Sequence, residues 1–170
     1  MVEAEECNLK NLNFRDQAVL SGAPMRITRN IHLIDIHVPW SRRSFNLYLI
    51  EDERLCLIDA GVGDRTSMRT LRASLRRLGH SLEDLSLVVI THAHPDHTGG
   101  IAEIQRASGA EVAAHPIEAP AIQDPARAWK RETEELQDRL RAAGVPSFVA
   151  RQILVSRRFR GLIPWRSGIV

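Results

Sequence analysis

The sequence predicts an α/β (α+β) fold: an early, mostly antiparallel sheet covered by amphipathic helices, then a helical hairpin. Three observations predict it. Between Ile27 and Ile58, short runs rich in β-branched and aromatic residues alternate with turn residues, the pattern of strands joined by tight connections. From Asp64 onward the apolar residues Met68, Leu71, Leu75 and Leu78 step by three and four, the period of a helix with one buried face. Beyond Pro120 strand signals stop, and two further stretches carry the helical period alone.

Taken in order, Ile27-Thr28 and Ile31 to Val38 read as strands and Trp40 to Ser44 as the loop after them. Phe45 to Ile50 then pairs with Arg54 to Ile58 across the acidic turn Glu51-Asp52-Glu53. Asp64 stands where an N-cap carboxylate accepts the free N–H groups of a helix start, and Gly79 ends that helix because it takes a left-handed conformation without steric cost. Ser81-x-x-Asp84 has capping-box spacing and opens a short turn. Leu87 to Ile90 follows as a strand, and Gly99-Gly100 starts a helix through Ile101, Ile104 and Ala107 to Gly109. From Pro125 a helical face runs through Trp129, Leu136, Leu140 and Ala143 to Gly144, and Pro146-Ser147 starts another through Val149, Ile153 and Leu154. A single domain over 1–170 is expected: an N-terminal arm 1–24, a sheet region 25–118 and a helical segment 120–160.

Composition bounds the function. With 44% hydrophobic and 26% charged residues, 170 residues suffice for one ordinary globular core. A formal charge of +2 gives no basis for a nucleic-acid partner. Arg151, Arg157, Arg158, Arg160 and Arg166 form a basic stretch around Phe159 and Trp165 that reads as a solvated helix face. No run approaches the ~20 apolar residues of a membrane span, and the acidic start Met1-Val2-Glu3-Ala4-Glu5-Glu6 is unlike a secretory signal. A cytoplasmic location without membrane contact is expected. Cys7 and Cys56 have no metal-ligand spacing and read as free thiols.

One segment carries chemistry. Thr91-His92-Ala93-His94-Pro95-Asp96-His97-Thr98-Gly99-Gly100 sets three of the chain's seven histidines and a carboxylate within six residues, directly after Leu87-Val88-Val89-Ile90. Imidazole and carboxylate donors without thiolates suit zinc, manganese or iron in a catalytic rather than a closed structural site. In an extended segment His92 and His94 share one side. Pro95 breaks the run, so Asp96 and His97 are free to address a second position.

The pattern His92-x-His94-x-Asp96-His97, flanked by Thr91 and Gly99-Gly100, resembles the signature of the metallo-β-lactamase superfamily of metal-dependent hydrolases. Upstream, Phe45 to Ile50 and Leu55-Cys56-Leu57-Ile58-Asp59-Ala60-Gly61 are similar to that family's early hairpin and Asp-x-Gly turn. The resemblance runs from Ile31 to His115 and implies an αββα sandwich, here largely its first sheet with the associated helices. It assigns His92 and His94 to one metal and Asp96 and His97 to a second. Asp59 would stand behind them, accepting the distal N–H of a histidine ligand. The implied metal is Zn2+, one or two ions, with iron or manganese as alternatives. Asp96 would also orient the nucleophile as a catalytic residue. The family's later ligands, a histidine, a bridging aspartate and a final histidine, have no counterpart before Val170. His115 reads as a strand-end residue, and Glu118 and the acids after it match none of the missing motifs.

The resemblance therefore implies a hydrolase using a metal-bound hydroxide on a small-molecule ester, thioester, lactone or amide. Bound to zinc, water has its pKa lowered to about 7. Two alternatives stay open: a truncated, non-catalytic half-domain with weak metal binding, and an iron-dependent sulfur dioxygenase of the same superfamily. The missing ligands and the apolar inner face of a lone sheet point to a homo-oligomer or a complementary C-terminal half as partner.

Overall fold

The computed structural model describes residues 23–37 and 44–160, with side chains to Val155. The expected arm up to Gly22, Cys7, the end of the second strand at Val38, most of the Trp40–Ser44 loop, and the basic stretch from Arg157 to Arg166 lie outside the described residues, or outside their side chains.

Among the described residues, six strands form one sheet in sequence order: β1 Met25–Arg26, β2 Ile31–His37, β3 Ser44–Ile50, β4 Cys56–Ile58, β5 Leu87–Ile90 and β6 Glu111–Ala114. The first four pair antiparallel in succession, an arrangement that needs no crossover between neighbours. β4, β5 and β6 pair parallel, each joined to the next by a helical crossover. The first strand lies two residues earlier than expected. Ile27 and Thr28 both direct their N–H groups to the Ile31 carbonyl, so they form the turn into β2.

Register aligns one apolar row across the sheet. Leu49 pairs with Leu57, Leu57 with Val88 and Val88 with Val112. Under this row sit α1 (Arg65–Arg77), through Met68, Leu71 and Leu75, and α3 (Ile101–Ser108), through Ile101 and Ile104. Asp64 caps α1 by accepting from the N–H groups of Thr66 and Ser67, and Gly79 stops it at φ +85°. The opposite face carries the row Leu33, Tyr48, Ile58, Val89 and Ala113, in which Tyr48 and Ala113 are exposed. Past β6 come α4 (Ala119–Gln123), α5 (Pro125–Ala142) and α6 (Ser147–Arg160). The hairpin of α5 and α6 appears where the helical period placed it, but α5 buries none of its residues.

A carboxylate clasp holds the far end of the sheet to α1. Glu51, just past β3, bonds His32 Nε2 through one oxygen and His80 Nε2 through the other, both at 2.8 Å. These bonds, His80's first and His32's second, hold the Glu51 carboxyl below its ordinary value of 4.5. Glu51→Gln is expected to cost about 1 kcal/mol at neutral pH, a charged hydrogen bond discounted for partial exposure. A depressed carboxyl stabilises above its unfolded pKa and loses that contribution as pH falls through the folded one. The gap between parent and variant in urea melts should therefore narrow below pH ~4. A gap independent of pH would show that the clasp does not act through the Glu51 charge.

Candidate metal centre

The site lies at the carboxyl end of the parallel strands, where β4 leads into Asp59-Ala60-Gly61-Val62-Gly63 and β5 into Thr91. Pro95 starts the one-turn helix α2 (Pro95–Thr98), a position where its missing N–H costs nothing. The backbones of the two loops touch. Ala60 N–H donates to the His97 carbonyl at 2.7 Å, and Gly100 N–H to the Gly61 carbonyl at 3.3 Å. This approach brings Asp59 to His97 although 38 residues separate them.

Asp59 is the hub of the site. It is 4% exposed and sits at φ +63°, a conformation that non-glycine residues other than Asn and Asp seldom adopt. One carboxylate oxygen accepts from Thr91 N–H at 2.9 Å and the other from His97 Nδ1–H at 2.7 Å, while the Thr91 hydroxyl lies 2.9 Å from both. The same hydroxyl is 3.1 Å from His92 Nδ1. Burial alone would raise the Asp59 carboxyl, but the bonds from His97 and Thr91 outweigh it and hold the pKa below its ordinary value. His97 is pushed up to about 9, by its bond to Asp59 first and to Asp96 second.

Each of the four predicted donors lies beside another of them. The His92 and His94 rings lie 4.6 Å apart between centroids, and His92 and His97 lie 4.0 Å apart. Asp96 Oδ2 is 3.5 Å from His97 Nε2. The turn at Pro95 folds His97 back over His92, and Asp59 holds it there. Burial lowers the His92 pKa, assisted by the charges of His97 and His94. Burial would raise Asp96, but His97 beside it keeps its carboxyl low. This nitrogen and oxygen donor set fits a divalent metal chemically. Among the described residues, no three His, Cys, Asp or Glu side chains are placed to hold one ion together, so the set fits as part of a site.

The segment from 42 to 165 matches the family model described as the metallo-beta-lactamase superfamily. The chain belongs to that superfamily. The superfamily includes hydrolases, and the metallo-beta-lactamase fold implies divalent metal binding. The chain is 33% identical over 72 residues to the probable metallo-hydrolase YqjP of Bacillus subtilis (strain 168), covering 42% of this chain and 23% of that protein. Over 79 residues it is 37% identical to the hydroxyacylglutathione hydrolase of Albidiferax ferrireducens, covering 45% and 28%. A metallo-beta-lactamase family protein from Thermus thermophilus superposes with a TM-score of 0.59 over 72% of this chain and 40% of that one, at 24% identity. MEM-A1, a subclass B3 metallo-beta-lactamase from a soil metagenome library, gives 0.50 at 30% identity, covering 59% and 36%. The chain thus covers less than half the length of each of these relatives.

Two residues with a clear place at the site had no role assigned from sequence. Thr91 links Asp59 to His92, and Glu118, at the start of α4, accepts from Ala93 N–H at 2.8 Å. No local sequence signal marks Glu118: it reaches the metal segment because β5 and β6 are parallel neighbours ending at the same edge, so residues just after β6 lie beside those just after β5. His115 turns away to its own loop, where its Nδ1 accepts from Ile117 N–H at 3.2 Å. Among the described residues, no helix is long and apolar enough to cross a membrane.

Proposed function

We propose that this chain is the metal-loop half of a metal-dependent hydrolase acting on an ester, thioester, lactone or amide. The observation that carries the reading is the convergence of His92, His94, His97 and Asp96, with Asp59 accepting the His97 Nδ1 proton. With Nδ1 engaged, His97 presents Nε2 as its ligand atom. His92 and His94 would hold one ion, and Asp96 and His97 would hold a second; zinc is the first choice, with iron and manganese open. Such a metal supplies Lewis acidity and a nucleophilic water at neutral pH. Asp96 would accept a hydrogen bond from the nucleophilic water and so orient it.

Four donors do not close two metal sites. The reading therefore includes a partner, either a second copy of this chain or a complementary C-terminal half, that supplies the remaining ligands and covers Tyr48 and its row. The missing three-donor group also favours a second reading, a half-domain that binds metal weakly and does not catalyse.

Elemental analysis of the purified chain, run beside its mass in solution, decides between them. One or two ions per chain with an oligomeric mass supports the hydrolase, and a metal-poor monomer supports the half-domain. Iron in place of zinc would favour the oxygen-dependent chemistry instead. His92→Ala and Asp96→Ala are each expected to lower bound metal sharply while far-ultraviolet circular dichroism stays near that of the parent. Unchanged stoichiometry in both variants would rule out the ligand assignment.

A further inference from the structure

We propose that Glu118 is a positioning residue, fixing the peptide between His92 and His94 and so setting where both rings point. The inference rests on reading those two histidines as ligands. The ladder between β5 and β6 ends at the pair Ile90 and Ala114, so the N–H of Ala93 lies beyond any strand partner. Glu118 Oε2 takes that N–H at 2.8 Å across 25 residues of chain. A carboxylate accepts only and forms a short, charge-assisted bond to a backbone donor. It restrains the one residue through which His92 and His94 are joined.

The delivery of Glu118 is itself built. Straight after β6, the His115 ring accepts from Ile117 N–H, and the His115 carbonyl accepts from the N–H groups of Glu118 and Ala119 at 2.9 and 3.1 Å. This turn opens α4, which is anchored in the core by Ile122, 2% exposed. Glu118 is thus held at the start of a helix whose far side is fixed to the core, and its carboxylate reaches the metal segment from a rigid base. Asp59 and Thr91 hold His97 and His92 by their rings; Glu118 holds the chain between the two ligands of the first ion. Ordering the loop before metal arrives lowers the conformational cost of binding.

The test uses the full chain and zinc alone. Glu118→Met keeps the length of the side chain without the acceptor, and Glu118→Gln keeps a carbonyl oxygen able to take the same N–H. Zinc affinity is measured by competition with a chromophoric chelator, and exchange of the Ala93 amide is followed by NMR in the metal-free chain. E118M is expected to bind zinc about 10- to 100-fold more weakly and to exchange faster at Ala93, while E118Q stays within about threefold of the parent in affinity. E118M binding zinc like the parent would overturn the proposal, as would E118Q failing as badly as E118M. If the parent itself binds no zinc, the ligand reading fails, and Ala93 exchange still decides the positioning claim: faster exchange in E118M alone keeps it, and equal exchange in all three chains ends it.

Discussion

Replacing Gly99 with alanine is expected to cost about 3 kcal/mol or more of folding stability, a fall in Tm of roughly 6–12 °C for a chain of this length. A Cβ at Gly99 would stand 2.0 Å from the Val62 carbonyl oxygen and 2.8 Å from that of Pro95. Both obstacles are backbone, so no rotamer change relieves them. The conformation of Gly99, φ −60° and ψ −30°, suits any residue, so the whole effect comes from the close approach of two chain segments. Gly144 gives the contrasting case: its φ is +70° and nothing lies within 4 Å of a Cβ there. Gly144→Ala should therefore cost only the left-handed penalty of about 1–2 kcal/mol. Denaturant melts of the two variants check the order, and a Gly144→Ala deficit equal to that of Gly99→Ala would refute the packing account. Because the same approach carries Asp59 to His97, the Gly99 variant should also bind metal less well wherever it folds.

The parts of this structure governed by neighbours in sequence were legible, and the parts governed by distant contacts were not. Phe45 to Ile50 and α1 follow from alternation, from the Asp64 cap and from Gly79, all local signals. The parallel placement of β5 and β6 is not local, since four apolar residues such as Leu87 to Ile90 pair equally well in either direction. The short helix α4 escaped notice because it buries only Ile122 and carries no periodic face.

At the site, the ligand types and their order were written in one segment, and the resemblance supplied Asp59 as the residue behind them. How the rings meet depends on the Ala60–His97 and Gly61–Gly100 backbone bonds, which have no sequence motif beyond paired glycines. Glu118 and the acids after it match none of the family's later ligand motifs, so Glu118 carries no sequence signal of its own. Its role lies in the backbone of the first motif, and only the adjacency of β5 and β6 reveals it.

Asp59→Asn is expected to loosen the site and the fold together. Asparagine fits the space and tolerates φ above zero, and its carbonyl oxygen still accepts from Thr91. Its amide, however, meets His97 Nδ1–H as donor against donor, and the charge facing the imidazole is lost. Breaking a buried charged pair costs about 3–5 kcal/mol; with the His97 side chain 22% exposed, the lower half of that range applies. Zinc affinity should fall about 10- to 100-fold, because a ligand histidine loses the group that fixes its tautomer.

The pH dependence of the metal-free chain separates this from a general loss of packing. With its pKa raised to about 9, His97 contributes stability that is fully present below its ordinary value and is lost as pH rises through 9. Asp59, held low, contributes above its ordinary value of 3.8 and loses that contribution as pH falls through its folded value. The stability difference between parent and Asp59→Asn should thus be widest between the two ordinary values, 3.8 and 6.5, and shrink on either side of that window. A difference of constant size from acid to pH ~10 would mean that Asp59 acts through shape alone, and the ion pair with His97 would no longer explain how the ring is held.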